Sequence, residues 1–415
     1  MLRSHLALRR GHSPQACACS AALAWRFPNA QKLSMILLNH AANGLMPDAT
    51  LQAITDYLRR EQRISPHLAA IEVAPQLQQL YADVAALLNC APTDIALTTG
   101  NSHGWGAIVA AMTWHAGDKV LITPGEWGGN LAMLQQLQQR YVVCIETMAT
   151  CADGSLDLAA LQTQLHTDHR IRLVALTWVP ANGAVVYRAQ DVGTLCAQYG
   201  VAYVVDAAQA LGMLPVDVQQ LQCDALTAPG RKWLCGPRGT GVLYVRPRFL
   251  AHLQPAVVDH FSCPITAQGA QLRSDARRFE ASERAVSLQL GLQAALAHAQ
   301  SQGWPQRWAA LAQNARAVRQ ALQALPHVTV VEHSSNPDGN PLIAFAVAGM
   351  SAACVQQSLL AQGISVAVSG MGYTPLDMQA RGLDSVVRAS VATTTSGNDI
   401  AALVDALGRL RNHAT

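Results

Sequence analysis

Lysine is nearly absent from this chain. Among 415 residues and 29 basic positions it occurs three times, as Lys32, Lys119 and Lys232. Charge of either sign is scarce: charged residues make up 13% of the chain and the net charge is +3. No lysine-rich or arginine-rich run follows residue 34, which argues against nucleic acid or an anionic membrane surface as the main partner. No apolar run reaches the roughly 18 residues that a membrane span needs. Paired cysteines are also lacking. Cys17 and Cys19 form the only close pair among 10 cysteines, and no second pair or histidine cluster completes a zinc site. Scattered thiols suit a reducing, cytoplasmic compartment. No Gly-Lys-Ser/Thr ends a phosphate loop, and no G-x-G-x-x-G follows the first apolar run, so neither a P-loop nor a dinucleotide fingerprint is present.

What is present is a large apolar chain, 50% hydrophobic, long enough for two or three domains with substantial cores. Residues 1–34 contain Arg3, Arg9, Arg10, Arg26 and Lys32, and no acidic residue precedes Asp48. That reads either as a transit segment or as an extension upstream of a start at Met35; both place it outside the ordered fold and its chemistry. An arm over 35–50 follows. Leu51, Ile54 and Leu58 then recur at helical spacing, and Ser65-Pro66 opens a further helical stretch as N-cap and first residue. Seven short apolar runs succeed one another: "IALT" (95–98), "KVLIT" (119–123), "YVVCIET" (141–147), "IRLVALTW" (171–178), "VAYVVD" (201–206), "DALTA" (224–228) and "GVLYV" (241–245). Most are separated by helical patterns. Strands that are apolar throughout and alternate with helices predict an α/β domain, over 51–270, around a mainly parallel seven-stranded sheet. The short Gly-rich link between the last two runs predicts one antiparallel edge. From 271 onward, two long helices and then mixed strands and helices predict a smaller α+β domain to residue 415.

In open α/β sheets, ligands bind beyond the carboxyl ends of the strands. Three strand ends carry chemistry. "TTGNSHG" follows the first strand and opens a helix, so its backbone N–H groups with Asn101 and Ser102 make an anion site; Ser102 is equally an ordinary N-cap. Asp206 ends "VAYVVD", where a buried carboxylate needs a cation or hydrogen-bond donors. Gln209 lies three residues on. Lys232 follows "DALTA". Burial and the neighbouring Arg231 and Arg238 predict a depressed pKa, and an amine free near neutral pH is suited to Schiff-base chemistry. A phosphate site, a carboxylate for a pyridinium nitrogen and a lysine for an aldehyde together describe pyridoxal phosphate.

"VVDAAQALG", "GRKWLCGPRGTGVLYV", "RRFEAS" and "DMQARGLDSVVRAS" together resemble the class V aminotransferase family. That family includes cysteine desulfurases, kynureninase, isopenicillin N epimerase-like proteins and hercynylcysteine sulfoxide lyases. The resemblance spans nearly all of 35–415 and implies the pyridoxal-phosphate transferase fold type I. It also implies a homodimer with the active site at its interface. Lys232 matches the lysine that binds the cofactor aldehyde, Asp206 the partner of the pyridinium nitrogen, and Gln209 the residue at the phenolic oxygen. Asn101 and Ser102 match the phosphate-binding turn, and Arg231 stands where it could reach the same phosphate. Trp127 in "TPGEWGGN" falls where a ring-stacking histidine is common; plain core packing is its other reading. Asn182 resembles an asparagine near the ring oxygen. Arg388 matches the arginine that clamps the substrate α-carboxylate. His40 and Ala42 match an arm segment lining the substrate pocket, though His40 reads equally as a packed structural histidine.

Two departures bear on the reaction. Desulfurases carry a nucleophilic cysteine on a mobile loop ahead of the substrate arginine, yet no cysteine lies between Ile364 and Arg388. Tyr373 occupies that loop and is the candidate acid for a departing sulfur. Ser282-Glu283-Arg284 stands where relatives use a threonine against the partner's phosphate. The expectation is therefore β-elimination at a C–S bond of an amino acid, with transamination as the alternative, and epimerisation or loop-cysteine-free desulfuration beyond that.

Overall fold

The computed structural model describes residues 35–410; the expectations for residues 1–34 lie outside them. Seven strands form one sheet in the spatial order Ile95–Thr98, Gly241–Val245, Ala225–Pro229, Ala202–Asp206, Ile171–Thr177, Lys119–Ile122, Cys144–Thr147. These are the seven apolar runs. The five central strands are buried on almost every residue, as a sheet covered on both faces requires. Six strands run in one direction and Gly241–Val245 runs against them, paired antiparallel to both of its neighbours. The reversed strand therefore sits one place in from the edge, because Ile95–Thr98 returns to cover it. The expectation of an antiparallel edge is corrected to that extent.

Helices fill the connections, among them Asn101–Ala111, Gly128–Tyr141, Leu158–Thr167 and Ala189–Tyr199. Ser65 caps the stretch from Pro66, its side chain accepting from the Leu68 N–H. That stretch breaks into Pro66–Glu72 and Ala74–Leu88. Pro75 explains the break, since it has no N–H and its ring clashes with the preceding turn.

A second sheet holds four antiparallel strands, in the order Val328–Val330, Leu342–Val347, Ser385–Ser390, Ala367–Gly370. Helices Trp304–Gln323, Ala352–Leu360 and Gly397–Leu410 cover it around Phe345, Val387 and Leu403. The arm ties in locally: Ile36–Leu37 pairs with Ile364–Ser365. Residues 35–410 pack as one compact unit that contains both sheets. None of the described helices is long and apolar enough to cross a membrane.

Candidate active site

The carboxyl ends of the central strands open on a cavity of about 630 Å³. The loop after Ala225–Pro229 places Lys232 in it. Burial pushes the Lys232 ammonium down to about 7; Asp206 opposes this, while Arg231 and Arg388 add to it. Arg388 thus takes the part expected of Arg238. Lys119 is different. It begins its strand, at the opposite end of the sheet, and its Nζ is paired with Glu146 and, at 2.8 Å, with Asp168. Those bonds raise its pKa, so among the described lysines the near-neutral amine is Lys232.

The arm rests on the lysine loop. Gly44 N–H donates to the Arg231 carbonyl at 2.8 Å, and a Cβ on Gly44 would stand 2.3 Å from the Lys232 carbonyl oxygen. Only glycine permits that approach. Arg231 in turn donates to the Ala42 carbonyl.

Asp206 ends its strand with a side chain 2% exposed. Asn101 and Asn130 each donate to its Oδ2 at 2.8 Å, and the Ala208 N–H donates to Oδ1 at 2.9 Å. Asn101 also accepts from Thr227 at 2.8 Å. The Asn101 side chain is therefore committed to Asp206 and Thr227. What the helix Asn101–Ala111 offers an anion is its first N–H groups and the exposed Ser102. Gln209 accepts from the buried Trp233 indole at 2.8 Å and donates to the Ala41 carbonyl at 3.2 Å, so its amide orientation is fixed at the cavity wall.

The half-buried Trp127 faces the cavity, with its ring 5.5 Å from that of Tyr373. Sequence reasoning missed what holds it. Glu126 is fully buried and accepts through Oε1 from Thr177 (2.5 Å), Asn130 (2.9 Å) and the Trp127 N–H (2.9 Å). Asn130 bridges Glu126 to Asp206. The signal was present in "GEWGGN", which puts a carboxylate and an amide four residues apart at a helix start, where they share a face. Burial pushes the Glu126 carboxyl up to about 8, and the nearby Asp206 adds to it. Glu126 is thus largely neutral at pH 7. A pKa raised in the folded state gives stability that is whole below the unfolded value and is lost as pH rises through the folded one. Glu126→Gln keeps the neutral shape. Between pH 5 and 8, wild type should lose stability relative to this variant, by on the order of 3 kcal/mol. Urea midpoints at both pH values check it; parallel losses in the two proteins would exclude Glu126 as the titrating group.

Arg388 enters from the second sheet, on Ser385–Ser390. It is 6% exposed; Nη1 donates to the Ala181 carbonyl at 2.5 Å, and Nε has no partner. No carboxylate among the described residues pairs with it. The Ser369 hydroxyl is likewise buried and unpartnered in the same cavity. Tyr373 lines the same cavity, 46% exposed, on a segment docked by the Gly128 N–H bond to the Tyr373 carbonyl (2.8 Å). A Cβ on Gly128 would meet the Gly372 carbonyl oxygen at 2.4 Å, so this docking too needs glycine.

Two expected residues are not brought to this cavity. Asn182 turns away from it, fully buried, and donates to Asp377 at 2.6 Å. Asp377 also takes His333 at 3.0 Å and Arg381 at 3.2 Å, which pins the short helix Pro375–Ala380. Ala181, one residue earlier, lines the cavity instead. His40 faces a neighbouring cavity, with its Nε2 3.6 Å from the Cys235 Sγ. Burial, with Arg307 adding to it, pushes the His40 imidazole down to about 4. Ala42, Ser102, Gln209 and Arg231 all reach the Lys232 cavity. Arg284 pairs with Glu280 of its own chain at 3.0 Å.

Fold and cavity define a two-sheet α/β enzyme with a near-neutral lysine, a buried carboxylate and an arginine lacking a carboxylate partner around one polar chamber. The chain belongs to the aminotransferase class-V family, whose profile matches residues 36–403. It is 29% identical over 406 residues to a probable hercynylcysteine sulfoxide lyase of Mycobacterium tuberculosis, covering 97% of this chain and 96% of that one. It is 28% identical over 230 residues to a probable cysteine desulfurase of Pyrococcus abyssi, there spanning only 56% of the relative's length and 54% of its own. Among solved structures, the cystine C–S lyase C-DES in complex with its product cysteine persulfide superposes with a TM-score of 0.82 at 26% identity, covering 90% of this chain and 97% of that one. The apo cysteine desulfurase of Thermococcus onnurineus NA1 shares the fold, with a TM-score of 0.84 at 23% identity over 91% of this chain and 95% of that one. The fold is the type I fold that the sequence led us to expect.

Proposed function

We propose that this chain is a carbon–sulfur lyase that performs β-elimination on an S-substituted cysteine or its sulfoxide, releasing pyruvate and ammonia. The observation that carries the reading is the convergence of Lys232, Asp206 and Arg388 on one cavity, beside a segment that holds Tyr373 and no cysteine. It is a pyridoxal-phosphate enzyme. The donor set fits that group: N–H groups at the start of Asn101–Ala111 with Ser102 and Arg231 for the phosphate, Asp206 for the ring nitrogen, Trp127 for the ring face, and Lys232 for the aldehyde. Bound there, the cofactor supplies a sink for the electron pair left at the substrate Cα.

The protein's own part follows from geometry. Arg388 offers its open Nε–Nη2 edge to the α-carboxylate. Lys232, half neutral near pH 7, takes the Cα proton. The Cα–H and Cβ–S bonds break, a Cα=Cβ bond forms, and the sulfur leaves with a proton from the Tyr373 hydroxyl. The released enamine hydrolyses to pyruvate and ammonia. Two points support this reading: Tyr373 precedes the pinned Pro375–Ala380 helix, in the region where the family resemblance implies a desulfurase's mobile cysteine, and the relative aligned over 97% of the chain is named a probable hercynylcysteine sulfoxide lyase. Incubation with S-substituted cysteines and their sulfoxides, without a 2-oxo acid, should give stoichiometric pyruvate and ammonia. Tyr373→Phe should slow poor leaving groups about 10- to 100-fold more than good ones. Product that forms only with an added 2-oxo acid, without ammonia, would mean transamination instead.

The active form in this reading is a homodimer, with Ser282 or Arg284 nearing the partner's phosphate. Val257, Phe261 and Ile265, just ahead of that segment, are 71%, 50% and 74% exposed, an apolar display suited to an isologous interface. Light scattering of the holo-protein should give twice the chain mass; a mass of 44.2 kDa would refute it. The eight described cysteines are all unpaired, which suits a cytoplasmic site of action.

A further inference from the structure

A second cavity, of about 800 Å³, adjoins the first and shares Asn39, Ala42 and Arg238 with it. The arm, the end of the lysine loop, helices Val286–Gln302 and Trp304–Gln323, and residues 392–399 surround it. Nothing in the proposed elimination uses it.

Arg307 lines this cavity and is 8% exposed. Its Nη1 donates to the Gln302 side chain at 2.5 Å. Its Nε is buried without a partner; the Cys235 thiol lies against the guanidinium, and no oxygen acceptor among the described residues takes its Nε–Nη2 edge. Elsewhere in this molecule that edge is the one that grips carboxylates. Arg60 with Glu72, Arg170 with Asp168, Arg273 with Asp275 and Arg319 with Glu332 all bond through Nε and Nη2. Arg388 leaves the same edge open in the catalytic cavity, with Nη1 likewise held by the protein. A cation taken out of water and left without a counter-charge is costly unless an anion arrives. The two arginines thus share one signature in two chambers.

The surroundings narrow the ligand. The Trp304 ring lies 5.7 Å from the Arg307 Cζ, and Leu234, Ala295 and Ala299 supply apolar wall. Asp48 and Asp399 also line the cavity. Asp399 is occupied by Ser396, at 2.8 and 2.9 Å, and Asp48 stands exposed at a helix start. Asp48 and Asp399 balance Arg307 and Arg238 on the wall, which leaves no excess positive charge for a multiply charged inorganic anion and suits a singly held carboxylate on an organic body.

We propose that Arg307 anchors a second ligand site, for a small organic carboxylate, distinct from the Lys232 cavity. The test uses holoenzyme and sodium butyrate, a monocarboxylate. Arg388→Gln removes the open guanidinium from the catalytic cavity; calorimetry of this variant should still show one saturable butyrate site. Adding Arg307→Gln should weaken it at least about tenfold, and Arg307→Lys, which keeps charge but loses the fork, should weaken it too. In the Arg388→Gln variant, butyrate should slow iodoacetamide labelling of Cys235, followed by peptide mass, because the thiol lines the same chamber. Binding that never saturates, binding indifferent to both Arg307 variants, or unchanged Cys235 labelling would overturn the site. Sodium sulfate binding as tightly as butyrate would overturn the carboxylate assignment.

Discussion

Lys232→Ala should lose turnover by at least about 10⁴-fold, since one change removes both the cofactor-binding amine and the base. Reduction of the wild-type holo-protein with borohydride should leave the cofactor on the peptide containing Lys232, and the variant should carry no such adduct. The pH dependence is the sharper test. An amine must be unprotonated to attack an aldehyde, and burial holds this one near 7. Capture of pyridoxal phosphate by apo-protein should therefore rise with pH and level off not far above 7. An ordinary lysine would keep accelerating toward about 10.4. Lys119→Ala should change neither result, because that side chain is spent on Glu146 and Asp168. An adduct on Lys119, or a capture rate still climbing between pH 9 and 10, would overturn the assignment.

The strands were legible because a sheet buried on both faces leaves no polar alternation to confuse the reading, and the strand ends then pointed at Lys232 and Asp206. Side-chain direction within irregular backbone was not legible. In the arm, neighbouring residues face opposite ways: Ala41 lines the catalytic cavity, while His40 lines the second one. Around Pro180 a shift of one residue decides the outcome, placing Ala181 at the cavity and Asn182 on Asp377. The partners that make these choices, Cys235 and Asp377, are 195 residues from their respective sites, a separation no local pattern encodes. Glu126 was missed for a related reason. Its importance lies in Asn130 reaching Asp206, 76 residues on. Tyr373 lies in a turn, as the loop reading implied; what the sequence did not show is that Asp377 gathers Asn182, His333 and Arg381 and pins the helix that follows it.

Arg388→Gln should lower kcat/KM by about 10²- to 10³-fold, the range expected when a buried bidentate ion pair worth roughly 3–4 kcal/mol is removed from a bound substrate. The guanidinium is positioned by the strand and by the Ala181 carbonyl before any ligand arrives, so little ordering is left to the binding step. Burial pushes its pKa down to about 10, with Tyr373 opposing; it stays charged at neutral pH, and the clamp should fail only as pH rises through that value. Arg388→Lys should recover part of the loss through charge alone, because an ammonium cannot take both carboxylate oxygens in one plane. The discriminating comparison pairs each substrate with its decarboxylated amine analogue. Wild type should bind the acid far more tightly than the amine, and Arg388→Gln should bind them nearly alike. The variant's urea midpoint should not fall, since a buried cation without a counter-charge has been replaced by a neutral amide. A variant that keeps kcat/KM within about threefold of wild type, or one that still separates acid from amine, would show that the α-carboxylate is held elsewhere.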